Sequence, residues 1–291
     1  MTKKEVFMYL FMIELERALN SKSSELARIS FQSDEANTDR ALKEYISSFI
    51  MKECNSLSMT SAIRTLNITD VFGRNFNLPI TDDIRYAMIT KVYLPEQVTQ
   101  KISNELNRNK KGVITDPDLC FEITIGGEAV YERIELKSTK SNAIPGSSVQ
   151  QVDPDEWVIF VRHNSSSASV VTGKYIYAIN STMQFPDRSP RPQVSFNELK
   201  HWNIANRKIS DNVVTFSPGN NDKDKLSVIN DWQNVLAERW VNVVCDLKRH
   251  ANEPWFNNVL RKFIIKFLSM YDFLSPDKQM EYKERLKNLI K

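Results

Sequence analysis

Three cysteines, three histidines and seven glycines are spread over 291 residues, and each shortage removes a class of protein. Cys54, Cys120 and Cys245 are isolated and odd in number, with no Cys-x-x-Cys pair. That argues against a disulfide framework and a structural zinc site, and for a reducing, cytoplasmic setting. His163, His201 and His250 are scattered, without a Cys or Ser partner or an HNH-like spacing, and count as incidental. The glycines build no phosphate-cradling loop, no Gly-x-Ser-x-Gly elbow and no dinucleotide fingerprint, so an ATPase, an esterase and a dehydrogenase drop out. Long apolar runs are missing as well. No segment approaches the ~18 uninterrupted apolar residues of a membrane span, and the opening Met1-Thr-Lys-Lys-Glu-Val6 lacks a signal peptide's apolar region and cleavage site. A soluble chain with no membrane partner is expected.

What is present is a 41% hydrophobic chain, enough to bury one large core or two modest ones. The formal net charge is +3. Residues 1–110 carry 15 Lys and Arg against 14 acidic residues, 111–222 carry 11 against 13, and 223–291 carry 13 against 9. The basic surplus thus falls at the C-terminal end, where it suits phosphate contact and a solvated helical face equally.

One stretch carries chemistry. Leu119 to Ile125 and Ala129 to Lys137 alternate in hydrophobicity with the period of two that half-buried strands show, and Gly126-Gly127 between them can take the positive φ angles of a tight hairpin. If Ile125 faces Glu128, counting outward sets Asp118 opposite Glu135 and Asp116 opposite Lys137. Directly opposed residues share a face of the sheet, as does Lys137, two residues past Glu135. Two adjacent carboxylates repel unless a cation joins them, and oxygen ligands without histidine or thiolate suit Mg²⁺, with Mn²⁺ as a substitute, rather than zinc. Glu122 has the same parity but lies nearer the turn, as a solvated strand residue.

Pro117-Asp118, followed after a strand-sized gap by Glu135-Leu136-Lys137, resembles the PD-(D/E)xK nuclease signature, and Glu135-Leu-Lys-Ser-Thr139 resembles type II restriction endonucleases in particular. The likeness covers roughly residues 110–162. It implies an α/β fold: a restriction-endonuclease-like core with a central mixed β-sheet flanked by helices in the order αβββαβ. It also implies Asp118 and Glu135 as catalytic metal ligands, with the Leu136 backbone carbonyl as a third, and Lys137 as the catalytic group holding the attacking water and the scissile phosphate. Asp116 is the competitor for the aspartate role. Gln150 and Gln151 are supporting candidates that orient water or phosphate, or else plain surface residues. Ser138, Thr139, Lys140, Ser141 and Asn142 follow the catalytic strand and suit contacts to a DNA backbone, or else form a polar loop.

The function so implied is Mg²⁺-dependent hydrolysis of double-stranded DNA at a short sequence, leaving 5′-phosphates, by a bacterial or archaeal homodimer matched to palindromic sites. A cognate DNA methyltransferase belongs to such a system without being a bound subunit. The alternatives are a structure- or damage-specific repair nuclease with the same core, and a non-catalytic DNA-binding or interaction protein whose hairpin charges are surface.

Around the hairpin, Thr2-x-x-Glu5 has the form of a capping box ahead of a helix on Phe7, Leu10, Phe11, Leu15 and Leu19. A second helix is expected on Leu42, Tyr45, Ile46 and Phe49, with Thr38 as cap. A loop is expected over 67–79, and then a helix from Thr81 whose face includes Ile84, Ala87, Met88 and Lys91 and which Pro95 ends or kinks. Val98, Ile102 and Leu106 continue the helical period to a basic turn over 107–112. The family's strand before Asp118 has no visible counterpart. A short helix at 147–151, a buried strand over 156–162, a loop over 164–169, a strand over 174–180 and a proline-broken stretch over 185–192, either a surface excursion or a loop that reaches the ligand, follow. Beyond Asp222 the pattern is helical: one long helix on Leu226 to Val243, one after Pro254, and one started by Ser275-Pro276. The divisions expected are a helical N-terminal segment over 1–109, the catalytic core over 110–220 and a helical C-terminal segment over 221–291, within one compact domain.

Overall fold

The computed structural model describes residues 1–29, 40–107, 116–164, 166–183, 191–245 and 254–290. The chain divides into two compact units, Met1–Gln184 with Arg191–Asn230, and Phe185–Pro190 with Asp231–Lys291. It is an α/β protein with mixed sheets, and among the described residues no helix is long and apolar enough to cross a membrane.

The first unit opens with α1 (Lys3–Ser21), started by the capping box in which Thr2 Oγ1 accepts from Glu5 N and the Glu5 carboxylate accepts from Thr2 N. Next come α2 (Ser23–Leu26) and α3 (Arg40–Glu53); the expected cap Thr38 lies outside the described residues. β1 (Thr65–Thr69) and β2 (Asn75–Pro79) form a hairpin where a loop is expected. Leu66 and Ile68 alternate inward, and the Asp70 carboxylate accepts from Phe72 N and Arg74 N to close the bend.

α4 (Asp82–Arg85) is a single turn, and the rest of the helix expected there is instead β3 (Met88–Tyr93). Helical spacing at Ile84, Ala87, Met88 and Lys91 is a coincidence of composition. In β3 Ile89, Val92 and Tyr93 are buried, Met88 is exposed, and pairing with the next strand overrides local preference. The segment expected to be helical thus carries three strands. α5 (Gln100–Leu106) is the expected helix; the basic turn beyond Asn107 lies outside the described residues.

β4 (Leu119–Ile125) and β5 (Glu128–Thr139) are the expected hairpin, with Ile125 opposite Glu128 and Leu119 opposite Ile134. Gly126 and Gly127 take φ of 60° and 86°, the pair of positive values that a type I′ turn demands. β6 (Ala143–Pro145) follows, then a single turn at Ser148–Val152 in place of the expected short helix. β7 (Trp157–His163), the expected buried strand, lies parallel to β5, and β8 (Ala168–Lys174) antiparallel to β7. The five-stranded sheet runs β3-β4-β5-β7-β8.

The strand expected over 174–180 is not found as one strand: β8 takes up 168–169 of the expected loop and ends at Lys174, where that strand is expected to begin. Residues 175–178 form the short helix α6 (Tyr175–Ala178) ahead of β9 (Ile179–Met183). Of the proline-broken excursion, 185–190 lie outside the described residues, and Pro192 opens β10 (Pro192–Ser195). α7 (Phe196–Asn206), β11 (Arg207–Ser210) and β12 (Val213–Phe216) complete a three-stranded sheet β6-β10-β9 and a four-stranded sheet β11-β12-β1-β2.

α1 covers one face of the central sheet. Phe7, Phe11 and Leu15 join Phe121, Ile134, Leu136 and Ile159 in one core, with the Phe11 and Phe121 rings edge to face. On the other face α5 covers Cys120 and Tyr131, and α7 covers Phe160 through Phe196. Glu135 and Lys137 point to this second face.

The long C-terminal helix expected breaks at Asp231. α8 (Asp222–Asn230) belongs to the first unit, tied to α7 where Asp222 accepts from Trp202 Nε1 and Lys225 pairs with Glu198. The second unit holds α9 (Trp232–Cys245), α10 (Pro254–Asp272) and α11 (Pro276–Leu289). Trp240 meets Phe256 between α9 and α10, and Phe267 meets Tyr282 between α10 and α11.

Candidate active site

The site lies where β4 begins and β5 ends. Asp118 is one residue beyond the last rung of the ladder, at the position that the register sets opposite Glu135. Its Oδ2 accepts from Leu136 N at 2.9 Å, taking the place of a backbone acceptor. Two rungs past the Leu119–Ile134 pair, the residue facing Leu136 is Pro117, which has no N–H to give. The N–H and C=O of one strand residue point the same way. Leu136 therefore aims its carbonyl toward the Asp118 edge, where the proline leaves it without a ladder donor.

Glu135 and Lys137 stand two apart on β5, between β4 and the buried strand β7, where Glu135 faces Val158 and Lys137 faces Phe160. Lys137 Nζ lies 2.5 Å from Glu135 Oε1, and both side chains are only about 15% exposed. Burial works to strip the Lys137 proton. The carboxylate of Glu135, the Tyr175 hydroxyl and the carboxylate of Asp118 outweigh it and hold the ammonium above the ordinary lysine range. Lys137 thus feels both acids.

Three residues that sequence reasoning passed over complete the site. Lys43, from α3, puts its Nζ 2.6 Å from Asp118 Oδ1. Ser147 donates from Oγ to Glu135 Oε1 at 3.2 Å, and its backbone N–H donates to the Tyr175 hydroxyl at 3.0 Å. Tyr175 is buried, and desolvation, followed in size by the opposing Lys137 charge, leaves its hydroxyl above the usual phenol range. β6 and β10 set this arrangement: Gly146 N donates to Pro192 O, and a side chain at Gly146 would collide with that oxygen and with the Tyr175 hydroxyl. A serine and a tyrosine far apart in the chain give no periodic signal, and Lys43 reads as ordinary helix surface.

The remaining candidates are placed as follows. Asp116 is exposed, and Lys137 turns to Glu135. Gln150 is exposed and Gln151 half-buried, on the single turn. Thr139 and Ser141 bond each other, Ser141 Oγ donates to Ala143 O, and Asn142 accepts from Arg162 and, through its carbonyl, from Phe196 N, so these three close the turn after β5. Lys140 is exposed and Ser138 half-buried. Glu122 accepts from the Tyr93 hydroxyl at 2.6 Å, away from the site.

The chain matches no family model, no curated protein and no solved structure.

Among the described residues no group of three or more His, Cys, Asp or Glu side chains is arranged to hold a metal. A cation here would take two carboxylates, a backbone carbonyl and water. That donor set fits Mg²⁺, which keeps several waters and is bound through one or two carboxylates, and does not fit zinc.

Proposed function

We propose that the protein is a Mg²⁺-dependent endonuclease of the PD-(D/E)xK kind, acting on double-stranded DNA as a type II restriction enzyme. One observation carries the reading: Asp118 sits on the Leu136 amide, at the register position facing Glu135, while Lys137 pairs with Glu135 on the same strand. The order β3, β4, β5, then β7 parallel to β5, supports it by supplying the strand before Asp118 that the resemblance calls for. The departure is the crossover over 140–156, which holds β6 and a turn where the family carries a helix.

In this reading Asp118, Glu135 and the Leu136 carbonyl hold Mg²⁺, which when bound supplies charge to the attacked phosphoryl group, a lowered pKa to water and support to the departing oxygen. Lys137 is held protonated, so it serves as a fixed positive charge for the phosphoryl oxygens and the attacking water, not as a proton acceptor. Ser147, its amide held by the Tyr175 hydroxyl, keeps the Glu135 carboxylate in place. A homodimer would present one site to each strand of a palindrome, with a methyltransferase protecting the host.

The test is incubation of plasmid and phage DNA with the protein and Mg²⁺. Fixed fragments carrying 5′-phosphates are expected, abolished by EDTA. Glu135→Ala and Lys137→Ala are expected to lower the rate by at least about 10²-fold with DNA binding kept. Undiminished cleavage by both variants would remove the assignment, and nicking that follows DNA structure rather than sequence would move it to a repair nuclease.

A further inference from the structure

The site holds one more positive charge than its strands supply. The Lys43 ammonium sits 2.6 Å from Asp118 Oδ1, with about a fifth of the lysine side chain exposed. The other oxygen of Asp118 takes the Leu136 N–H. Glu135 has Lys137 on Oε1. Two carboxylates therefore face two ammoniums, and the formal charge of the cluster is zero where a dication needs a negative surplus.

Position makes this pairing durable. α3 is seated in the core by Leu42, Ile46, Phe49 and Ile50, all buried, so the backbone of Lys43 is fixed and only its side chain is free to swing. An ammonium and a divalent ion cannot share one carboxylate oxygen at contact distance without strong repulsion in a site this poorly solvated. The Lys43 ammonium has to leave Asp118 before a dication is bound there.

We propose that Lys43 is an internal counter-ion that competes with the divalent metal for Asp118 and so sets the metal affinity of the site. The inference rests on Asp118 being a metal ligand, as in the proposed function. Lys43 is a positioning residue, acting through Asp118 and not on the phosphate.

The experiment is a Mn²⁺ titration of the full chain without nucleic acid, followed by electron paramagnetic resonance of the free ion. Wild type, Lys43→Gln, Lys43→Arg and Asp118→Asn are compared. Lys43→Gln is expected to bind Mn²⁺ roughly fivefold to tenfold more tightly than wild type, the scale of one partly buried ion pair. Lys43→Arg, whose guanidinium can grip a carboxylate with two bonds, is expected to bind no more tightly than wild type. Asp118→Asn is expected to weaken binding.

An unchanged or weaker affinity in Lys43→Gln, with Asp118→Asn still weakening it, overturns the role of Lys43 and leaves the site reading standing. Unchanged binding in Asp118→Asn removes the reading of Asp118 as a ligand and this inference with it. If Lys43→Gln fails to fold, tighter binding by Lys43→Arg than by wild type overturns the proposal by itself.

Discussion

His163 shows how one side chain ties the sheet to pH. It lies at the end of β7, on the face that α1 covers, and is buried. Burial first, and the Lys140 ammonium second, push its pKa down to about 4. In the unfolded chain the ring titrates near 6.5. As pH falls through that value the unfolded state takes up the proton first, so the contribution to stability is whole above pH 6.5 and is lost as the pH approaches 4. Urea unfolding of His163→Leu is expected to show a loss between pH 7 and 4.5 smaller than that of wild type by about 2–3 kcal/mol. Equal losses in the two proteins would show that the ring does not carry this dependence. The thiols follow the same rule: burial, aided by Glu14, pushes Cys54 up to about 12, and burial pushes Cys120 up to about 12, which makes both poor nucleophiles.

At the scale of elements, the site depends on two strands that carry none of its charges. β6 and β10 pair over only a few residues, yet they bring Ser147 to Glu135 and its amide to Tyr175. Gly146 is the joint. A Cβ there would lie 2.4 Å from the Pro192 carbonyl oxygen and 2.7 Å from the Tyr175 hydroxyl, closer than packed atoms come. Gly146→Ala is therefore expected to cost about 1–3 kcal/mol in denaturant unfolding and to move Ser147 off Glu135. Unchanged stability would mean that the β6–β10 pairing shifts freely. The α1 helix holds the opposite side of β8 through Glu16, whose carboxylate accepts from Thr172 N and from Arg207. That network joins α1, β8 and β11 around one carboxylate, and it reads as structure.

For the whole molecule, the division into two units decides where stability resides. The main core cluster runs from Val6 to Phe216 and lies wholly in the first unit. α8 is anchored there through Asp222 and Lys225, so Asn230 is a natural end for that unit. A chain ending at Asn230 is expected to unfold in one cooperative transition and to bind Mn²⁺ as the full chain does. An aggregated or unfolded product would show that the C-terminal helices are integral to the first unit.

Much of the β4–β5 hairpin is legible in the sequence, because a Gly-Gly turn fixes its register locally: once Ile125 faces Glu128, each pair up to Leu119 opposite Ile134 follows by counting. The same holds for the capping box at Thr2 and for β7, whose unbroken apolar run fits burial on both faces. The sequence by itself determined the register, which sets Asp118, one residue before β4, at the position facing Glu135 and leaves Lys137 on the same face of β5. It misjudged 81–93, 67–79 and 168–180, where strand and helix are decided by what the segment packs against, since pairing across the sheet outweighs local spacing. Only the tertiary structure could bring Lys43 to Asp118, Ser147 to Glu135 or Tyr175 to Ser147, because these contacts join separate elements and no period along the chain records them.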